Sequence, residues 1–287
     1  MTIFGKKLHW IDVAITLIIV ALVLFVWQQI GSNLNYKWRW HLIPNFIAYW
    51  NEDTQSWVAN LYLEGLFATI RICIMAGALA LVLGFILGVA RCSNNLTIRM
   101  LARTYVELLR NVPPLVIIFV FYFFLSEQII VALNVEDWSR SIARSESSGI
   151  WELFFGDMRS FPALLSGVIV LGMFESAFVG EIVRAGIQSI PKGQTEAAES
   201  IGLSSVGKLR FIIFPQATRK VAAPLANQFI SLVKDSAIIS LISVQELSFV
   251  TFDIVVSTNA IFEPWITTAL LYFTICFGLS LLFRRLE

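Results

Sequence analysis

The chain alternates between apolar and polar stretches on the length scale of a bilayer. Six apolar runs, roughly 11–30, 66–90, 104–125, 162–184, 221–243 and 262–283, are separated by segments that hold most of the charge. A spanning helix needs about 20 mostly apolar residues, so each run predicts one membrane helix. The first run follows Lys6-Lys7 as a signal peptide would, but its apolar stretch reaches Trp27 with no small-residue cleavage site after it. It predicts a retained anchor. Composition agrees with this pattern: the chain is 57% hydrophobic and 14% charged, with a mean hydropathy of +0.75. A soluble domain carries about 25% charge. The predicted class is an all-α polytopic membrane protein.

The placement of charge orients the spans. With the N-terminus in the cytoplasm, fourteen lysines and arginines fall on the inner side and five, Lys37, Arg39, Arg140, Arg144 and Arg159, on the outer side. The positive-inside rule then places both termini in the cytoplasm. Two outer segments are long. Residues 31–60 carry Trp38, Trp40, Trp50 and Trp57 and predict an interfacial stretch. Residues 126–161 are polar, with the acids Glu136, Asp137, Glu146, Glu152 and Asp157 and a turn at Ser145–Gly149. This segment reads equally as a docking site for an extracytoplasmic partner or as a solvated connector.

Catalytic chemistry finds little support. Cys73, Cys92 and Cys276 are far apart and odd in number, which suggests neither a disulfide framework nor a metal site. His9 and His41 sit in aromatic-rich flanks suited to interfacial anchoring. The net charge of +1 gives no reason to expect a nucleic acid partner. Gly202–Leu209 nearly spells a phosphate-binding loop, but Leu209 stands where a magnesium-binding hydroxyl is needed and no strand precedes it.

The polar segment 191–215 is the most informative. Pro191 and Gly193 end the preceding span, and Gln194–Ile201 predicts a short helix with Glu196 and Glu199 near its positive end. Gly202 suits the left-handed residue that closes such a helix, and Ser204 or Ser205 can cap the next. Ala197 and Ala198 give it a thin face able to enter a groove on a partner. Residues 196–215 follow the spacing E-A-A-x₃-G-x₉-I-x-[LF]-P, which resembles the coupling loop of ABC importer permeases.

Further stretches are similar to the polar amino acid branch of that family, the histidine/glutamine permease type. Glu107–Val116 matches E-x₂-R-x₂-P-x-L-V, and Glu181–Ile190 matches E-x₂-R-x-G-I-x-S-I. Gly193–Ala198, Pro215–Arg219 and Asn227–Ser236 follow in register. The resemblance covers roughly residues 61–287. It implies a type I ABC importer transmembrane fold with five core helices, to which residues 1–60 add an N-terminal helix and outer segment. It also implies a second permease subunit, identical or paralogous, two cytoplasmic ATPase subunits and an extracytoplasmic amino-acid-binding protein. The chain itself then binds no cofactor, ATP and magnesium being held by the ATPase. The implied setting is a bacterial inner membrane. Gln194, Glu196, Ala197, Ala198 and Gly202 are the implied coupling residues. Departures are the extra span, the long 126–161 segment and Phe214 in place of leucine.

Ionisable residues within spans are functional candidates. Lys234 and Asp235 lie about 13 residues into the fifth run, ~20 Å deep if helical. Neighbours in sequence do not face each other on a helix, so they seek different partners or the helix breaks there. Binding or gating, and structural pairing with Glu175 or Glu181, both fit. Glu107, Arg110 and Asn111 precede Pro113-Pro114, which kinks the span. Asn111 then either touches substrate or belongs to a hinge. Glu107, Asn111, Glu175, Glu181, Asn227, Gln228, Lys234 and Asp235 are the candidate pathway residues. Arg71 is expected to snorkel to the outer face, and Gly84-x₃-Gly88 to permit close helix approach. An ATP-independent secondary transporter is the competing reading. A membrane-bound enzyme is a third, and it lacks a G-x-S-x-G, an H-E-x-x-H or a Cys/His set.

Overall fold

The computed structural model describes residues 2–3, 6–7, 10–33, 36–145 and 148–285. It divides into two units, Met1–His41 and Leu42–Glu287. His9 and Glu146 lie outside the described residues, as does part of the turn expected at Ser145–Gly149.

In the first unit, β1 (Thr2–Ile3) pairs antiparallel with β2 (Lys6–Lys7). The 24-residue helix α1 (Trp10–Asn33) follows. Leu17, Ile18, Leu24 and Phe25 are all exposed. Trp38 stacks on Trp40 with ring centroids 5.9 Å apart.

The second unit begins with α2 (Ile43–Ile47) and a hairpin of β3 (Ala48–Asn51) and β4 (Ser56–Ala59). The sequence predicted no strands here. The hairpin follows from the Asn51 side chain, which accepts from the Asp53 backbone N–H at 2.9 Å to form the turn, and from Trp50 packed edge-on to Trp57 across the pair. Then come α3 (Leu61–Arg91), α4 (Leu96–Asn111), α5 (Pro114–Phe121), a π-helical turn at Tyr122–Ser126, α6 (Glu127–Ala132), α7 (Val135–Ala143) and α8 (Ser148–Phe155). The remainder is α9 (Phe161–Gln188), α10 (Lys192–Ser200), α11 (Ser205–Lys208), α12 (Phe214–Asp235), α13 (Leu247–Thr258) and α14 (Phe262–Arg284). A π-helical turn at Leu209–Ile213 joins α11 to α12, and a tightened turn at Ser236–Ile242 continues α12.

Among the described residues, five helices are long and apolar enough to cross a membrane: Leu61–Arg91, Pro114–Ala132, Phe161–Gln188, Val206–Ile242 and Phe262–Arg284. These are the five core helices expected. Consecutive spans run in opposite directions, so residues 92–113 and 189–205 share one end of the bundle, here the proximal end. Residues 42–60, 133–160 and 243–261 share the distal end.

The span expected at 104–125 is corrected. The chain instead forms an amphipathic helix, α4, that ends at Asn111, and a separate span that begins at Pro114. Asn95 caps α4 by accepting from Thr97 N and Ile98 N at 3.0 and 3.3 Å. Ala102, Val106 and Leu109, at helical spacing, are its buried side. Val112 and Pro113 are extended, as a residue before proline prefers, and Pro114 starts the next helix where its missing N–H costs nothing.

Helix α9 is the centre of the bundle: 72% of its apolar window is buried, against 11% for α14. Its closest neighbour is α3, and small residues permit the approach. A Cβ on Gly84 would come within 2.5 Å of Val179, and one on Gly88 within 2.6 Å of Val183. The four-residue glycine spacing thus lets two backbones meet, as the sequence predicted.

Candidate functional site

The proximal loop is built by local sequence. Pro191 is extended, with φ −57° and ψ 138°, and α10 begins at Lys192, two residues before the expected Gln194. Gly202 has φ +78°, the left-handed conformation that glycine adopts without strain. Its N–H donates to Glu199 O at 2.9 Å, and Leu203 N donates to Ala198 O at 3.1 Å, a Schellman closure of α10. Ser204 Oγ accepts from Gly207 N at 3.2 Å and caps the next turn. A Lys208–Glu199 ion pair folds α11 back on α10, and Gln216 Nε2 donates to Gln194 Oε1 at 3.3 Å. Lys220 Nζ donates to Ser189 O at 2.9 Å, tying α12 to the end of α9.

The result is a short helix with one side bound to the protein and one side open. Gln194, Glu196, Ala197 and Gly202 are exposed. Ala198 is buried, so the thin face expected of the two alanines is held by Ala197 alone, while Ala198 seats α10 on its own chain. Composition reasoning missed three apolar neighbours. Ile201, Val206 and Phe211 are 74%, 75% and 64% exposed beside the turn. Their signal was available as apolar residues in a charged loop.

The pathway candidates separate into distinct places. Glu175 and Gln228 line a cavity of about 950 Å³ together with Arg219, Gly77, Ala80 and Phe229. Gln228 Nε2 donates to Glu175 Oε2 at 2.7 Å. Glu175 is fully buried, and its Oε1 has no hydrogen-bond partner among the described residues. Asp235 lies within electrostatic reach of Glu175 at the end of α12. Lys234 is exposed on another side of the helix, so the two adjacent charges do face apart. Asn227 is exposed and does not line the cavity. Arg219, also on α12, lines the same cavity; in sequence it is a basic residue of the inner loop and the end of the Pro215–Arg219 motif. It has no ion-pair partner among the described residues.

Glu107, Asn111 and Glu181 sit elsewhere, in an ion cluster toward the proximal end. Glu181 pairs with Arg91 and Arg184, with Arg110 Nη1 at 3.7 Å. Arg91 Nη2 also reaches Glu107 Oε1 at 3.6 Å. Asn111 Nδ2 donates to Glu107 O at 2.7 Å and Oε2 at 3.2 Å, which caps the end of α4 before the proline break. The cluster clamps α3, α4 and α9 together. Its members are structural partners of one another and do not line the cavity. A further buried acid, Glu246, caps α13 by accepting from Ser248 N and Phe249 N at 2.7 and 2.9 Å, and it accepts from the Tyr272 hydroxyl.

Residues 80–287 match the family described as "Binding-protein-dependent transport system inner membrane component". The chain belongs to this family. The permease is 33% identical over 238 residues to the "Probable glutamine ABC transporter permease protein GlnP" of Bacillus subtilis, covering 82% of this chain and 95% of that protein. It is 30% identical over 216 residues to the "Glutamate/aspartate import permease protein GltJ" of Escherichia coli K12, covering 75% and 79%. Among solved structures, one described as "Crystal structure of an amino acid ABC transporter with histidines" matches with a TM-score of 0.62 at 30% identity, covering 79% of this chain and 92% of that one. The MetNI methionine ABC transporter in an inward-facing conformation matches with a TM-score of 0.56 at 15% identity over 79% and 96%, a likeness of fold.

The permease is thus a multi-pass inner-membrane subunit of an ABC importer. It forms the membrane path and is not itself catalytic. Permeases of this family work with a second permease and with ATPase subunits.

Proposed function

We propose that this permease imports a polar amino acid, that α10 receives the ATPase movement, and that the Glu175–Gln228 wall binds the substrate. The observation that carries the substrate reading is the buried Glu175 carboxylate, held by Gln228 in the wall of a cavity of about 950 Å³. A carboxylate placed this way suits an α-ammonium group, because the charged pair forms where water is scarce. Arg219 lies nine residues before Gln228 on α12, about 13 Å along the axis. That is too far for one amino acid to span its two backbone charges between them. Arg219 instead attracts the carboxylate at the proximal mouth. The glutamine and glutamate/aspartate permeases among the relatives support a polar substrate.

The remaining parts follow. ATP with magnesium binds the ATPase subunits, whose closure pushes α10 and turns the cavity to the distal side. An extracytoplasmic binding protein releases the amino acid there. The arginine and lysine asymmetry supports a cytoplasmic proximal end and cytoplasmic termini. Residues 1–60 serve as an anchor and outer segment, and 61–287 as the transport unit, with the coupling loop at 191–215.

The test is uptake by proteoliposomes holding the permease with its partner permease, ATPase and binding protein. Radiolabelled amino acids of acidic, amide, basic and apolar classes are compared with and without ATP. ATP-dependent uptake of one polar class supports the proposal. Uptake that ignores ATP and follows an ion gradient overturns it.

A further inference from the structure

At the distal end the chain leaves one span at Ala132 and enters the next at Phe161. Between them α7 and α8 lie side by side, joined by Trp138 packed edge-on to Trp151 at 5.5 Å. A cavity of about 540 Å³ opens between α7 and the first turn of α9, lined by Arg140, Arg144 and Arg159 together with Glu136, Ser139 and Pro162. Its charge is unbalanced. Arg140 Nη2 pairs with Glu136 Oε2 at 2.9 Å, while Arg144 and Arg159 are exposed and without an ion pair among the described residues. Three of the five outer-side basic residues in the chain therefore converge on one concavity.

The position of this cleft decides what fills it. Pro162 and Ala163 in its wall belong to the first turn of a membrane span, so the cleft sits at the bilayer boundary. Helix α8, which meets α7 through the Trp138–Trp151 contact, exposes Ile150, Leu153 and Phe154 at 68%, 72% and 64%. Arg71, ten residues into the 31-residue α3, donates to Leu153 O at 3.4 Å. It pulls α8 down against the membrane helix, with Gly156 leaving room for the guanidinium. Two cations without an ion pair among the described residues, at the first turn of a membrane span, fit a phosphodiester headgroup at the bilayer boundary.

We propose that the Arg140–Arg144–Arg159 cleft binds the headgroup of an anionic phospholipid in the distal leaflet and so fixes α7 and α8 on the bundle. A soluble acidic protein would need the charge of the cleft but not its place at the first turn of a membrane span. Each arginine near an anionic surface contributes about fivefold in affinity.

The purified permease complex in a neutral detergent is titrated with phosphatidylglycerol or phosphatidylcholine, and bound lipid is counted by native mass spectrometry. The expected result is one tightly held phosphatidylglycerol per permease, with affinity reduced about 30-fold in the Arg144→Gln/Arg159→Gln variant. The Arg144→Lys/Arg159→Lys variant should retain most of the binding, which separates charge from misfolding. Equal retention of both lipids, or no change in the glutamine variant, overturns the proposal. So does full displacement by millimolar inorganic phosphate, which would make the site one for a free anion. Unchanged lipid retention with weakened capture of the extracytoplasmic binding protein would assign the cleft to that protein and also overturn it.

Discussion

Gln228 on α12 donates to Glu175 on α9 at 2.7 Å, in the wall of the cavity that both residues line. One contact thus joins the helix that continues from the proximal loop to the most buried helix of the bundle. A shift of α12 driven from α10 would act directly on the group proposed to hold substrate. Replacing Glu175 with glutamine keeps the shape and removes the charge. A hydrogen bond to a charged group contributes about 1.5–3 kcal/mol, so Glu175→Gln should raise the apparent KM for uptake about 10- to 100-fold. Assembly with the ATPase should be retained. Uptake kinetics in proteoliposomes read the effect, and an unchanged KM would remove Glu175 from the site.

Gly202 holds φ +78° at the close of α10. An alanine there must adopt a left-handed conformation at about 1 kcal/mol, or the Schellman turn opens. Gly202→Ala should therefore loosen the loop and lower substrate-stimulated ATP hydrolysis, and Gly202→Asn should be milder because asparagine tolerates this region. Equal rates in all three proteins would show that the closure of α10 does not matter to coupling.

The Arg91 side chain is only 8% exposed and pairs with Glu181. Removing Glu181 leaves the buried Arg91 with only its longer contact to Glu107 at 3.6 Å, a loss of up to about 3 kcal/mol. Glu181→Ala should lower the midpoint of thermal unfolding in detergent by several degrees. The Arg91→Met/Glu181→Met double variant should recover part of the loss, because the buried cation is gone and the charges that remain, Arg184, Arg110 and Glu107, reach solvent. If the double variant is as unstable as the single one, the cluster does more than clamp α3 to α9.

A Cβ at Gly84 would lie 2.5 Å from Val179 and 2.9 Å from the Ser176 backbone carbonyl. Backbone cannot move aside as a flexible side chain can, so Gly84→Ala should destabilise by about 1–3 kcal/mol. Gly278 has nothing within 4 Å of its Cβ position, and Gly278→Ala serves as the neutral control. Thermal stability of the two variants compares them directly.

Much of this architecture is legible in the sequence where the physics is local. Apolar runs long enough to span lipid give the core helices, and the positive φ of Gly202 follows from its place after a short polar helix. The misplaced third span shows the limit. The apolar positions of amphipathic α4 join those of α5 into one hydrophobic run, and only Pro113-Pro114 marks the break between them. Ala198 was assigned to a partner surface because a two-residue motif does not say which alanine faces inward. Glu107, Asn111 and Glu181 drew notice as charges near spans. Arg184 stands one helical turn from Glu181 and is a local partner, but Arg91 reaches Glu181 only through the packing of α3 on α9. The place of Arg219 in the cavity wall is likewise set by packing, since its sequence position shows only a basic residue after Pro215.

The central claim is that α10 transmits the work of a separate ATPase to the membrane path. The most direct measurement is substrate-stimulated ATP hydrolysis by the reconstituted importer with Glu196→Arg in this permease. Glu196 is exposed on α10, so the reversal should leave the fold intact. A polar amino acid and its binding protein should stimulate hydrolysis in the wild type, and Glu196→Arg should abolish the stimulation. Hydrolysis that is indifferent to both the amino acid and the substitution would contradict it.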